Sequence, residues 1–272
     1  MVDRIPEKVQ IKEVSVFKNR NGTLLQMNDQ VAVESPLQME INGKPISVTM
    51  RTPGDDPALT VGFLFTEGII HDYDQVACVI QTDENSINVK MEEDIDLPTT
   101  DIARNFYTTS SCGVCGKSSV ESIVTKSLFT LSGKKIFITD DVLFSLQEKL
   151  LTVQSAFEST GGLHASALFH PDGKYLYHSE DVGRHNALDK LIGHALMAGR
   201  MPLSNHILML SGRASFELVQ KAGMAGIPVI VSVGAPSSLA VELAQSSGHI
   251  LIGFLKRTGY NIYAGKDLLQ SD

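Results

Sequence analysis

The second half of the chain constrains the fold most, because short apolar runs alternate there with segments of helical period. A long amphipathic stretch from about Asp141 to Glu158 ends at Gly161-Gly162 and predicts a helix. Ala165–Phe169 and Tyr175–His178 flank Pro171-Asp172-Gly173 and predict a hairpin. Helices are then expected at Asn186–Ala198, Ser215–Ala225 and Ser237–Ser247. They alternate with strands at His206–Leu210, Pro228–Val233 and Ile250–Phe254. Strand–helix alternation implies a largely parallel sheet covered by helices.

This αββαβαβαβ order is similar to that of cytidine-deaminase-like domains, so the expected class is α/β (α+β) with a mixed sheet. The first half reads as sheet. Val31–Glu34 and Leu37–Ile41 run apolar, Asn42-Gly43 is a hairpin turn signal, and Ile46–Met50 is the return strand. Thr52-Pro53-Gly54-Asp55-Asp56-Pro57 leads into a helix stopped by Gly68, and two strands flank Glu84-Asn85-Ser86. Residues 92–105 are acidic and proline-containing, and read as a surface connection. A helix with a Ser118/Glu121 capping box should follow residues 108–119. The expected division is a β-rich domain over 1–135 and a deaminase-like domain over 136–272.

The formal net charge of -8 and the absence of tryptophan argue against a nucleic-acid-coating protein. The first fourteen residues have no apolar core, and no run of about 18 apolar residues occurs, so neither a signal peptide nor a membrane span is expected. A cytoplasmic location follows as an expectation, with the three cysteines reduced.

Cys112-Gly-Val-Cys115 is the most chemical segment. Its polar, glycine-rich surroundings disfavour burial. A structural zinc site lacks its other two ligands, since Cys78 sits in an apolar strand-like run. A redox dithiol normally has its first cysteine at a helix N-terminus, whereas this helix begins near Ser118. A sulfur carrier needs a thiol reachable by donor and acceptor in turn, which a loop with Gly113 and Gly116 supplies. Spacing does not separate redox from sulfur transfer.

Other loops carry weaker signals. Gly161-Gly-Leu-His-Ala165 has Ser166 where a zinc deaminase needs its general acid/base Glu. Ser179–Asn186 places Arg184 and His185 before a helix. Leu208–Ser215 and Ser232–Ser238 each read as strand, short glycine loop and helix, with the loops at the carboxyl ends of expected parallel strands, where open α/β sheets bind ligands. Arg184 and Arg213 are candidates there for phosphate.

Several segments together resemble the FdhD family of formate dehydrogenase accessory proteins. They are Arg51–Ile70, Ser110–Gly116, Thr160–Ala165, Glu180–Lys190, Ser211–Ser215, Gly253–Gly259 and Asn261–Tyr263. The resemblance implies a sulfurtransferase. A cysteine desulfurase would load a persulfide on Cys112, with Cys115 assisting. The sulfur would pass to the molybdenum or tungsten of bis(molybdopterin guanine dinucleotide), for the formate dehydrogenase catalytic subunit. It further implies a homodimer without a metal of its own, and a cofactor site that includes Phe254, Leu255, Lys256, Arg257, Thr258 and Gly259.

Overall fold

A computed structural model describes residues 9–93, 127–131, 133 and 135–270. The expected surface connection, the helix capped by Ser118 and both loop cysteines lie wholly or largely outside these residues. The chain opens with a hairpin of β1 (Ile11–Arg20) and β2 (Thr23–Ala32), turned at Asn21-Gly22, where both residues have positive φ. A four-stranded sheet follows, in the order β4-β3-β6-β5. It comprises β3 (Ser35–Ile41), β4 (Lys44–Arg51), β5 (Val76–Asp83) and β6 (Ser86–Met91). Asn42 and Gly43 turn β3 into β4 at φ 49° and 78°, the left-handed pair that an Asn-Gly hairpin uses. Between β4 and β5 lies helix α1 (Asp56–Thr66).

The second sheet has six strands in the order β13-β12-β11-β10-β8-β9. Its members are β8 (His164–Phe169), β9 (Tyr175–Asp181), β10 (Ile207–Leu210), β11 (Val229–Ser232), β12 (Ile250–Lys256) and β13 (Gly259–Ala264). Only β10, β11 and β12 run parallel to one another. β8, β9 and β13 are antiparallel to their neighbours, so the sheet is mixed rather than largely parallel. β13 extends the expected series. Its residues are mostly half-buried on an edge, so the apolar run that marks β10 to β12 is missing.

Helix α2 (Asp140–Val153) covers one face of this sheet, its Leu143, Leu146 and Leu150 buried against Ala167, Met209 and Val231. The expected helix to Glu158 is broken at Gln154 (ψ 69°), and α3 (Ser155–Thr160) starts anew. The break has a tertiary cause. The Glu180 carboxylate on β9 accepts from the N–H groups of Ala156 (3.3 Å) and Phe157 (2.9 Å), capping a fresh helix start. At the base of the fold β7 (Ile136–Phe137) pairs with β14 (Leu269–Gln270).

The other face carries α4 (Arg184–Met197), α5 (Phe216–Met224) and α6 (Ser238–Ser247). α1 crosses α4 at two glycines. A Cβ on Gly62 would stand 1.9 Å from the Asp189 carbonyl oxygen, and one on Gly193 1.9 Å from that of Ala58. No side chain fits, so the helix backbones touch, and one apolar core runs from Leu37 and Val89 through Leu64 and Leu188 to Leu208.

One buried histidine makes the fold acid-sensitive. His249 is 2% exposed, and its Nε2 has no partner among the described residues. Burial pushes its pKa down from 6.5 to about 4. Between those values the unfolded chain binds the proton and the folded one does not. This contribution to stability is therefore full above pH 6.5 and lost as pH falls towards 4, at a cost of about 3 kcal/mol. Urea unfolding midpoints at pH 7 and pH 5 should differ accordingly, and His249→Gln should narrow the difference.

Candidate functional site

The carboxyl ends of β10, β11 and β12 open onto one edge, and the loops there are tied together through their backbones. The Ser211 N–H donates to the Ala165 carbonyl (3.0 Å), and the Ser211 hydroxyl accepts from the Ala165 N–H (2.8 Å). The Gly234 N–H donates to Gly212 (2.9 Å), and the Phe254 N–H to Gly234 (3.1 Å). A Cβ on Gly234 would lie 2.8 Å from Cγ of Arg213, so glycine there makes room for the arginine stem. The Arg213 head is exposed.

From the far side, α4 begins at the same edge. Its cap residue Gly183 offers no side-chain bond to the first N–H groups. Arg184, the first helical residue, has its Nε buried without a partner among the described residues. His185 Nε2 lies 3.4 Å from the Ser215 hydroxyl and 3.8 Å from the Glu217 carboxylate, so it bridges the starts of α4 and α5. The His185 hydrogen bond brings the Glu217 carboxyl down to about 2. His164, at the start of β8, is half-buried. Its pKa is lowered by burial, then by the charges of Arg184 and His185, which favours the neutral ring at pH 7.

The edge is held from below by buried ion pairs. Lys190 meets Asp181 at 2.7 Å and donates to the Thr52 carbonyl at 3.0 Å. Asn186 donates to Met50 O (2.8 Å) and to Asp181 (3.0 Å), and the Thr52 N–H donates to Asp181 (3.1 Å). Arg51 forms a two-pronged pair with Asp56 at 2.9 and 3.0 Å. Much of Arg51–Asp56 and Asp181–Lys190 thus locks the four-stranded sheet to α4 beneath the edge.

The segment Phe254 to Gly259 divides. Phe254 sits at φ 53° and is 42% exposed. It lies in a β-bulge, where Phe254 and Leu255 oppose one residue of β13. Leu255 is fully buried and belongs to the core. Lys256, Arg257 and Thr258 are exposed around the β12–β13 turn, with Gly259 beginning β13. Arg257 reaches Glu148 of α2 at 3.4 Å, an exposed pair of little energetic weight. Arg184, Arg213 and Phe254 therefore meet at one edge, and Lys256 and Arg257 mark its rim. Cys112 and Cys115 lie outside the described residues. Sequence reading missed Glu217 as a member of this edge, because a glutamate in the first turn of a helix is ordinary until the fold sets His185 against it.

Next to Ser211 a cavity of about 420 Å³ opens between α2, α3 and the edge, lined by Gln147, Leu151, Gln154, Phe157 and His164 among others. Among the described residues, no cluster of three or more His, Cys, Asp or Glu could hold a metal ion. No helix there is long and apolar enough to cross a membrane.

The arrangement defines an α/β protein with a mixed six-stranded sheet whose carboxyl edge carries arginines and glycine loops. The family model described as the FdhD/NarQ family matches residues 32–270. The chain is 45% identical over 261 residues to the sulfur carrier protein FdhD of Streptomyces avermitilis, covering 92% of this chain and 93% of that one. It is 42% identical to the sulfur carrier protein FdhD of Sulfurisphaera tokodaii, covering 95% and 99%. A solved structure, assigned as a formate dehydrogenase accessory protein from Desulfotalea psychrophila, shares the fold. Its TM-score is 0.78 at 24% identity, over 96% of this chain and 100% of that one. The chain belongs to the FdhD/NarQ family.

Proposed function

We propose that this protein is a sulfur carrier that takes sulfur from a cysteine desulfurase as a persulfide on Cys112. It would deliver that sulfur to the molybdenum or tungsten of bis(molybdopterin guanine dinucleotide) before the cofactor enters formate dehydrogenase. The observation that carries this reading is identity of 42–45% across nearly the whole chain to proteins named as sulfur carriers, together with the Cys112-Gly-Val-Cys115 thiol pair.

The chemistry balances on the two thiols. The Cys112 thiolate attacks the terminal sulfur of the donor persulfide and keeps it, and the donor leaves as a thiol. For release, the Cys115 thiolate attacks the inner sulfur of Cys112. A Cys112–Cys115 disulfide forms and the terminal sulfur departs as hydrosulfide, its two electrons drawn from the two cysteines. A cellular dithiol then resets the pair.

The large anionic cofactor is the substrate in this reading. What favours its binding at the carboxyl edge is the presence there of Arg184 and Arg213, since guanidinium groups pair phosphate oxygens, and of glycine loops that let backbone approach. Lys256 and Arg257 add charge at the rim. The working unit is taken to be a homodimer, which size-exclusion chromatography with light scattering checks.

The test is intact-mass measurement after incubation with desulfurase and cysteine, where one added sulfur reads as about 32 Da. Loading of Cys112 supports the proposal. Activation of formate dehydrogenase by a Cys112→Ser variant would instead point to a cofactor chaperone without thiol chemistry. A thiol–disulfide equilibrium indifferent to desulfurase would point to a redox switch.

A further inference from the structure

Among the described residues, the β1–β2 hairpin bonds no third strand, and every residue of β2 except Ala32 is exposed. A two-stranded hairpin is marginally stable in water by itself. Its root is fixed to the body: Gln10 donates to the Pro53 carbonyl (3.1 Å), and a Cβ on Gly162 would lie 3.6 Å from that of Ala32. The register runs unbroken from Ile11 opposite Ala32 to Arg20 opposite Thr23. Directly opposed residues share a face, so the two faces are defined. One is polar and bonded to itself. The Gln26 carboxamide donates to the Ser15 hydroxyl (3.0 Å), and that of Asn28 to the Glu13 carboxylate. The other carries a continuous apolar stripe of Val14, Val16, Leu25, Met27 and Val31, the last three exposed. Lys12, Lys18, Arg20 and Asp29 are the charges of that face. An exposed apolar stripe with a charged margin marks a contact surface.

We infer that this face joins two copies of the chain, the hairpins laid face to face and antiparallel about a two-fold axis. The order of residues carries the argument, because the face is its own complement. From root to turn its levels are Lys12 with Val31, Val14 with Asp29, Val16 with Met27, Lys18 with Leu25, and Arg20 with Thr23. A two-fold through the central level sets Val16 and Met27 against their own copies. It brings Lys18 of each copy over Asp29 of the other, twice in one dimer, and Val14 over the level of Leu25. Lys12 and Arg20 fall at the two ends, where solvent screens them. Such a contact is isologous and closes at two copies. The chain as a whole stands at -8, whereas the hairpin sets Lys12, Lys18 and Arg20 against Glu13 and Asp29. Two acidic bodies thus approach through a segment that is not acidic. The tip of each hairpin lies at the root of the other. Phe17 and Leu24, on the reverse face near the turn and 70% and 64% exposed, are the apolar groups set to meet the partner's body there. Ten residues in each of two strands approach the roughly 20–30 residues a side of a standard interface. The inference rests on reading the working unit as a homodimer, and it names the surface that makes one.

Sedimentation equilibrium of the full-length protein, over a series of concentrations, tests it with four variants. All three positions changed are exposed, so each copy should keep its fold, which urea unfolding verifies. Met27→Glu sets two carboxylates against each other on the two-fold and should weaken the dimer by about a hundredfold or more. Lys18→Glu and Asp29→Lys should each weaken it by about tenfold or more, since each sets like charges together. Lys18→Glu combined with Asp29→Lys restores the pairs in reverse and should return the dimer close to the wild type. A wild type that is monomeric at micromolar concentration overturns the homodimer reading and this inference with it. A dimer that Met27→Glu and both single charge variants leave intact overturns this inference alone. So does a Met27→Glu variant that stays dimeric with a lowered urea midpoint, because the stripe is then covered by its own chain. Charge variants that weaken the dimer singly and do not recover when combined overturn the antiparallel crossing.

Discussion

Replacing Cys112 with alanine is expected to reduce the desulfurase-dependent adduct of about 32 Da to background, the largest functional effect foreseen for this chain. A persulfide needs a thiolate, and alanine offers no atom on which the sulfur can be held. The control is set by the structure. Cys78 is exposed on β5, the edge strand of the four-stranded sheet, so a reactive donor can reach a second thiol. A Cys78→Ser background therefore belongs in the experiment, and the adduct should persist in it. Cys115→Ala should separate loading from release. The adduct should form and then accumulate, because the thiol that displaces the terminal sulfur is gone. An adduct that survives Cys112→Ala in the Cys78→Ser background would remove the thiol chemistry from Cys112.

Lys221→Met is expected to destabilise the protein by about 3–5 kcal/mol, the range for removing one partner of a buried ion pair. Lys221 is 4% exposed on α5. Its ammonium lies 2.9 Å from Asp189 of α4, 2.8 Å from the Thr66 hydroxyl and 3.4 Å from Glu67 at the end of α1. It also stands 5.7 Å from the Phe63 ring centroid. Burial works against the charge, but Asp189 and Glu67 outweigh it and hold the lysine pKa above its ordinary value. Methionine fills a similar volume and leaves two carboxylates without their counter-ion where three helices meet. For a domain with total stability of about 5–15 kcal/mol this is a large fraction. Urea unfolding measures it. Asp189→Asn in the same chain should recover part of the loss, because one of the stranded charges is then gone. A Lys221→Met variant as stable as the wild type would show that the cluster contributes nothing net.

How much of this was legible in the sequence depended on whether a segment's shape is decided locally. The Asn42-Gly43 hairpin was readable because its flanking strands bury alternate residues and its turn needs two left-handed residues. Asn21-Gly22 makes the same kind of turn, but Thr23–Ala32 is exposed along almost its whole length, so no apolar periodicity announces the strand. The break at Gln154 was hidden because Glu180, far along the chain, causes it. The rule that loops at carboxyl strand ends face ligands put Arg184 and Arg213 forward as candidates from sequence alone. The sequence motif did not distinguish Phe254 from Leu255. One bulge turns neighbouring residues to opposite fates, exposed beside the loops and buried in the core. The His185–Glu217 contact is tertiary and left no mark in either segment.

Phe254 holds a left-handed backbone that phenylalanine adopts at a cost of about 1–3 kcal/mol, and its ring, 42% exposed, recovers little of that by packing. Glycine there would relax the chain. A laboratory selection for heat resistance alone would therefore be drawn to this position, and its most robust survivors would have lost an exposed aromatic ring at the carboxyl end of β12. Thermal hardening and competence pull against each other at a single residue.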